Sequence, residues 1–210
     1  MNDLKASLKP RKSAVQARST ATVEALHTAT LQVLTQHGLV RCTTTRVAER
    51  AGLSVGSVYQ YYPNRDALLA AVLEKHLLEV AETVARTCEQ CRGKPVAEMA
   101  SELVSAYLAA KLRDTSISKA LYAIAAQRGG AELVARINTR MVTATAAMLA
   151  SAPDADFEDP TLIATVSLTA LGGTVRALLE GYVPPLFETC LEQQATLLLT
   201  AYLGMYRRPV

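Results

Sequence analysis

Thr44, Thr45, Ser57, Tyr59 and Tyr61 set five hydroxyls within eighteen residues, with the Gln60 amide among them and the Arg65 guanidinium just beyond. Hydroxyls and guanidinium groups hold phosphate oxygens, and such contacts fix register without reading sequence. A Gln amide can pair bidentately with adenine, a Ser hydroxyl can reach base edges or phosphate, and Val55 can meet a thymine methyl. Gly56 has no side chain, so the backbone can come close to a partner. This is chemistry of contact with base edges and phosphates, and it breaks no bond. His27, His37 and His76 stand alone, and there is no HExxH, phosphate-cradling glycine loop or nucleophile elbow. The sequence therefore names no catalytic residue, no metal ligand and no cofactor, and an enzyme is not expected. Cys88 and Cys91 share a helix face at a spacing of three, which a redox or metal sensor could use. Zinc needs four ligands, however, and no His lies near them in sequence.

The elements that must position these side chains are short helices. Thr45–Ala51 reads as two turns, Gly52 as a residue suited to positive φ, Ser54 as an N-cap, and Val55–Tyr62 as a second short helix. Helix, three-residue turn, helix across Thr44 to Tyr62 is a helix-turn-helix, whose second helix lies in the major groove with its N-terminal residues at base edges. Val47, Leu53, Val58 and Tyr62 form its small core, and the small Ala48 and Ala51 let the two helices approach. Val55, Gly56, Ser57 and Gln60 then face outward. The N-terminus of the second helix also points partial positive charge at a phosphate.

The rest of the chain is helical in pattern too. Of 210 residues, half are hydrophobic, yet there is no Trp and only two Phe, so the core is built from Leu, Val and Ala. Helices are expected over Thr20–His37 with Gly38 as C-cap, then over Arg65–Cys91 after a Pro63 stop and an Asn64 cap. Others follow over Val96–Leu112, Ser116–Gln127, Ala131–Ala150, Thr161–Glu180 and Leu186–Tyr206, with Ser151–Pro160 an exposed acidic loop. The fold class is all-α, with about nine helices and no strand. Residues 1–19 read as a flexible basic arm. The first 65 residues hold nine basic and three acidic side chains, the remaining 145 hold thirteen and sixteen, so a front of +6 precedes a body of −3. A basic front suits an anionic partner. No apolar run approaches the ~20 residues of a membrane helix, and no signal core opens the chain, so a cytoplasmic location with reduced thiols is expected.

The run Thr44-Thr45-Arg46-Val47-Ala48-Glu49-Arg50-Ala51-Gly52-Leu53-Ser54-Val55-Gly56-Ser57-Val58-Tyr59-Gln60-Tyr61-Tyr62-Pro63-Asn64-Arg65-Asp66-Ala67-Leu68-Leu69 resembles the TetR family of bacterial repressors. The likeness covers about Thr20 to Val80. It departs at Tyr62, where the family usually has Phe and where a buried hydroxyl would need a partner, and at Arg65, where Lys is usual. The resemblance implies a helix-turn-helix domain over 20–80 and a ligand-binding and dimerisation domain over 81–210. It implies a homodimeric repressor with double-stranded operator DNA and a small-molecule effector as partners. On this reading the pocket draws on Met99, Tyr107, Tyr122, Gln127, Met141 and Met148. The dimer seam draws on Leu168, Leu171, Gly172, Val175 and Leu179 with Leu198 and Tyr202, where Gly172-Gly173 permits close approach. The rival reading is an all-helical scaffold or small-molecule-binding module with a decorative basic front and no specific DNA binding.

Overall fold

Leu, Val and Ala pack well on helices and offer little to a sheet, and the computed structural model, which describes residues 17–126 and 129–208, is helical accordingly. Among the described residues there are nine helices: α1 Ala17–Arg41, α2 Thr44–Ala51, α3 Val55–Tyr61, α4 Arg65–Gln90, α5 Val96–Leu112, α6 Thr115–Ala125, α7 Gly130–Leu149, α8 Pro160–Glu180 and α9 Leu186–Gly204. α1 kinks at Gly38, whose φ of 74° and ψ of 170° end the regular helix where the glycine predicts an end. The expected arm is shorter than 19 residues, because the chain is already helical at Ala17; residues 1–16 of that arm lie outside the described residues.

The chain forms two compact units. The first takes residues up to His76 together with Ser116–Leu133. In it α1 packs on α2 and α2 on α3, around Leu26, Val33, Leu34, Val47, Ala48, Val58, Tyr62, Leu68 and Leu69, all at most 3% exposed. At about 1.5–3 kcal/mol for each buried Leu or Val, this core fixes two short helices that would not hold alone.

The second unit takes Leu77–Thr115 and the chain from Val134 onward. Here α9 lies mainly along α5 and also touches α8. Leu191, Ala195, Leu199 and Leu203 repeat at intervals of four and are buried; α8 buries Ile163, Ala164, Ser167, Leu168, Leu171, Val175 and Leu179. A Cβ on Gly172 would sit 3.3 Å from the Tyr107 hydroxyl, so this glycine lets α8 close on α5 of its own chain.

Two sequence expectations change here. The Ser151–Pro160 loop is not simply exposed. Asp154 accepts the Val96 amide at 2.8 Å and so caps α5. Asp156 takes a two-pronged contact from Arg208 at 2.8 and 2.7 Å, and Ala155 bridges Arg207. Opposite charges fifty residues apart draw the loop and the chain end together. Second, α8 is by length and composition apolar enough to cross a membrane, although Thr and Ser interrupt its apolar run. Its buried stripe packs inside the second unit.

Candidate nucleic-acid interface

Local chemistry shapes the helix-turn-helix. Thr43 is the N-cap of α2, its hydroxyl accepting the Arg46 amide at 3.3 Å. Gly52 is left-handed at φ 67°, ψ 30° and ends α2, its amide reaching the Glu49 carbonyl at 3.1 Å. A side chain there would strain the turn. Ser54 caps α3, accepting the Ser57 amide at 3.1 Å, and the two serine hydroxyls lie 2.8 Å apart. Tyr62 closes α3 with its amide on the Val58 carbonyl at 2.9 Å. Asn64 caps α4 by accepting the Ala67 amide at 2.8 Å. Three side-chain N-caps in 22 residues, Thr43, Ser54 and Asn64, are each worth about 1 kcal/mol.

This brings most of the predicted contact residues to one surface chemistry. Gly56 and Gln60 are exposed, Val55 and Ser57 half-exposed. Val58, between them in sequence, is fully buried and faces the other way. Tyr59 is exposed and its hydroxyl lies 3.3 Å from the Thr44 hydroxyl, so two groups fifteen residues apart share one spot at the start of α2. Thr45 is exposed and Tyr61 half-buried. Arg65 differs from a freely reaching cation. It is half-buried and donates through Nη2 to the Leu39 carbonyl at 2.9 Å, tying α4 to the end of α1, while its Nε is buried without a partner. A planar fork with five donors can do this and still present others.

The fold also joins residues that the sequence left separate. His27, isolated in sequence, is 8% exposed and Tyr62 2%; His27 Nε2 lies 2.7 Å from the Tyr62 hydroxyl. That is the partner the Tyr62 hydroxyl required. Burial lowers the His27 pKa, with Lys75 adding to the effect and Glu24 opposing it. Burial pushes Tyr62 up to about 12. Lys75 on α4 forms an ion pair with Glu24 on α1, and this pairing is the main reason the Glu24 carboxyl sits below its ordinary range. The sequence signal for His27–Tyr62 was only the departure at Tyr62.

The body residues separate in a different way. Met99, Tyr107, Met141 and Met148 are buried within the second unit at 6% exposure or less. Tyr122 is half-buried in the first, and Gln127 lies outside the described residues. Lys111, one turn after Tyr107, is a buried cation that composition did not reveal; burial pushes it down to about 8. The residues expected at a dimer seam fall into two groups. Leu168, Leu171, Val175 and Leu179 are buried inside their own chain, so they have no surface left for another. Gly172 approaches Tyr107 of its own chain, while Gly173 is exposed with nothing near it. Leu198 stays half-exposed and Tyr202 intermediate. Among the described residues of this unit, the apolar side chains exposed to solvent include Leu162, Val166, Leu186, Leu197, Leu198 and Met205. Cys88 and Cys91 are buried too, and desolvation raises both thiols. Cys88 lies 3.6 Å from the Thr145 hydroxyl. A reactive sensor needs a lowered, accessible thiol. Among the described residues no His, Cys, Asp and Glu group forms a metal-binding cluster.

Two family models match this chain. Residues 26–72 match the bacterial regulatory proteins of the tetR family. Residues 95–203 match the tetracyclin repressor-like C-terminal domain. The HTH-type transcriptional regulator BetI of Stenotrophomonas maltophilia is 40% identical over 63 residues, which is 30% of this chain and 32% of that protein. The aligned stretch thus spans about a third of the length of that relative. Among solved structures, SmeT, the repressor of the S. maltophilia multidrug efflux pump SmeDEF, superposes with a TM-score of 0.68 at 20% identity, covering 89% of this chain and 90% of its own. The fatty acid degradation regulator FadR from Bacillus halodurans gives 0.65 at 17% identity, covering 89% and 97%. At such identities the likeness is one of fold. The chain belongs to the tetR family of bacterial regulatory proteins.

Proposed function

We propose that this chain is a ligand-responsive transcriptional regulator, a repressor, that binds a palindromic DNA operator as a homodimer. The observation that carries the reading is the outward row Val55, Gly56, Ser57 and Gln60 on a helix whose other side is locked by the buried Val58 and Tyr62. Gln60, Ser57 and Val55 have the chemistry to read base edges. The Thr44–Tyr59 hydroxyl pair, Thr45, Tyr61 and Arg65 have the chemistry to hold phosphates. A two-fold dimer matches half-sites about 34 Å apart or a multiple of that. The solvent-facing Leu162, Val166, Leu197 and Leu198 on α8 and α9 support association of two copies.

In this reading the effector binds among Met99, Tyr107, Met141, Met148 and Lys111, all buried in the second unit. α4 starts beside α3 at Arg65 and ends in the second unit at Gln90. An effector that prefers one arrangement of the body can act on the head through this continuous helix, provided it binds the DNA-incompetent state more tightly. The likeness to SmeT, a repressor, favours repression as the sign of regulation. DNA as partner places the protein in the bacterial cytoplasm, and no catalytic role is assigned.

A gel-shift on the duplex immediately upstream of the chain's own gene tests the reading. The expected result is selective retardation over a shuffled duplex, weakening steeply with added salt. A scaffold or simple binding module would retard neither duplex selectively.

A further inference from the structure

The reading that α3 enters DNA makes its tilt a functional quantity, and one buried polar contact bears on that tilt. We infer that His27 is a positioning residue for the reading helix: its neutral ring accepts the Tyr62 hydroxyl, holds the C-terminal end of α3 against α1, and makes operator affinity fall when the ring is protonated. This rests on the proposed DNA-binding role of α3.

The geometry is specific. His27 sits on α1, and Tyr62 is the residue that closes α3. The 2.7 Å contact joins them across 35 residues of sequence, with both side chains buried. Proton bookkeeping assigns its direction. Nδ1 of His27 is buried without a partner. If Tyr62 donates to Nε2, a single N–H at Nδ1 is left unpaired. If Nε2 carries the proton, both the Tyr62 O–H and Nδ1 are unpaired. The first arrangement leaves fewer orphans, so the ring is neutral and Nε2 accepts.

Protonation inverts this contact. Nε2 becomes a donor, the Tyr62 O–H loses its acceptor, and a second N–H and a full charge are buried. The charged groups whose fields reach the ring are Glu24, one turn earlier on α1, and Lys75 on α4. Glu24 is ion-paired with Lys75, so its charge is already offset, and Lys75 itself repels an imidazolium. The least costly relief is for Tyr62 to move, and with it the end of α3.

The sign follows from the lowered His27 pKa. The unfolded ring titrates near 6.5 and the folded one below that. Stability contributed by the neutral ring is complete above 6.5 and is lost as the pH falls towards the folded value. Below the folded value the head carries a protonated ring, and operator affinity falls by up to tenfold per pH unit for each head. Tyr62→Phe removes the donor. His27→Leu with Tyr62→Phe replaces the pair by apolar groups of similar shape, a change that tends towards neutral where a single truncation does not.

The test is binding of the full chain to the fluorescent duplex upstream of its own gene, at constant ionic strength, from pH 8 to pH 5. Helicity is recorded at each point. The slope is read for each protein separately, so a changed absolute affinity in a variant does not obscure it. The native chain should lose affinity on the acid side. The His27→Leu, Tyr62→Phe double variant should lose at least threefold less per pH unit, because it lacks the ring whose protonation inverts the contact. Parallel slopes for the two proteins overturn the inference while leaving DNA binding intact. A native chain that shows no selectivity for the duplex at pH 8 overturns the α3 reading first, and the inference with it.

Discussion

Two surfaces of this chain stay in solvent for opposite chemical reasons. On α3 and the start of α2 the exposed groups are polar, among them hydroxyls, an amide, a bare glycine and a guanidinium: Thr45, Arg46, Gly56, Tyr59 and Gln60. On α8 and α9 they are Leu162, Val166, Leu186, Leu197, Leu198 and Met205. The first surface suits a hydrated, charged partner. The second gains by burying apolar area, at roughly 25 cal/mol per Å². Neither Thr161–Val175 nor Gln193–Tyr206 contains a charged residue, so nothing on that stretch of the second surface would be stranded by a covering copy. The difference teaches that exposure alone does not name a partner; what is exposed does.

The comparison breaks most visibly through α9. Leu197→Glu with Leu198→Glu places four charges in a two-fold interface, and the dimer should weaken on the order of a thousandfold, about 4 kcal/mol. Sedimentation velocity should show monomers of unchanged helicity; a persistent dimer would return this surface to ordinary solvent. Leu171→Ala probes the opposite case. This side chain is fully buried in its own chain, so the substitution should remove about 3 kcal/mol of folding stability in urea and leave association of the folded protein unchanged. A variant that folds normally but dissociates would restore Leu171 to the interface.

Smaller effects sharpen the polar side. Gln60→Ala should cost about 1–3 kcal/mol at one base position with little change on random DNA, whereas Tyr59→Phe should weaken all sequences alike. Competition with single-base operator variants separates them, and equal loss from both substitutions would remove Gln60 from the reading set. Ser54→Ala deletes the α3 cap and should cost about 1 kcal/mol, visible as a lower thermal midpoint and a uniform loss of binding.

How legible each region was depends on the reach of its interactions. The head was readable because its determinants lie within a few residues: the caps at Thr43, Ser54 and Asn64 and the left-handed Gly52 all act over at most five positions. The observed bounds of α2, α3 and α4 fall within one residue of those expected from sequence. The inward face of α8 was less legible because α8 is apolar on more than one face. Periodicity shows that Leu168, Leu171 and Leu162 are apolar, but not which of them meets α5. The acidic loop likewise looked exposed because its partners, Val96 and Arg208, are more than fifty residues away.

What the sequence by itself determined was the all-α class, the helix-turn-helix and its outward residues, since backbone caps and glycine geometry act locally. Tertiary structure alone decided that His27 meets Tyr62, that Arg65 anchors on Leu39, and which leucines of α8 and α9 remain in solvent. Those outcomes depend on long-range packing, where a side chain's role is set by the neighbour the fold delivers and not by its own place in the chain.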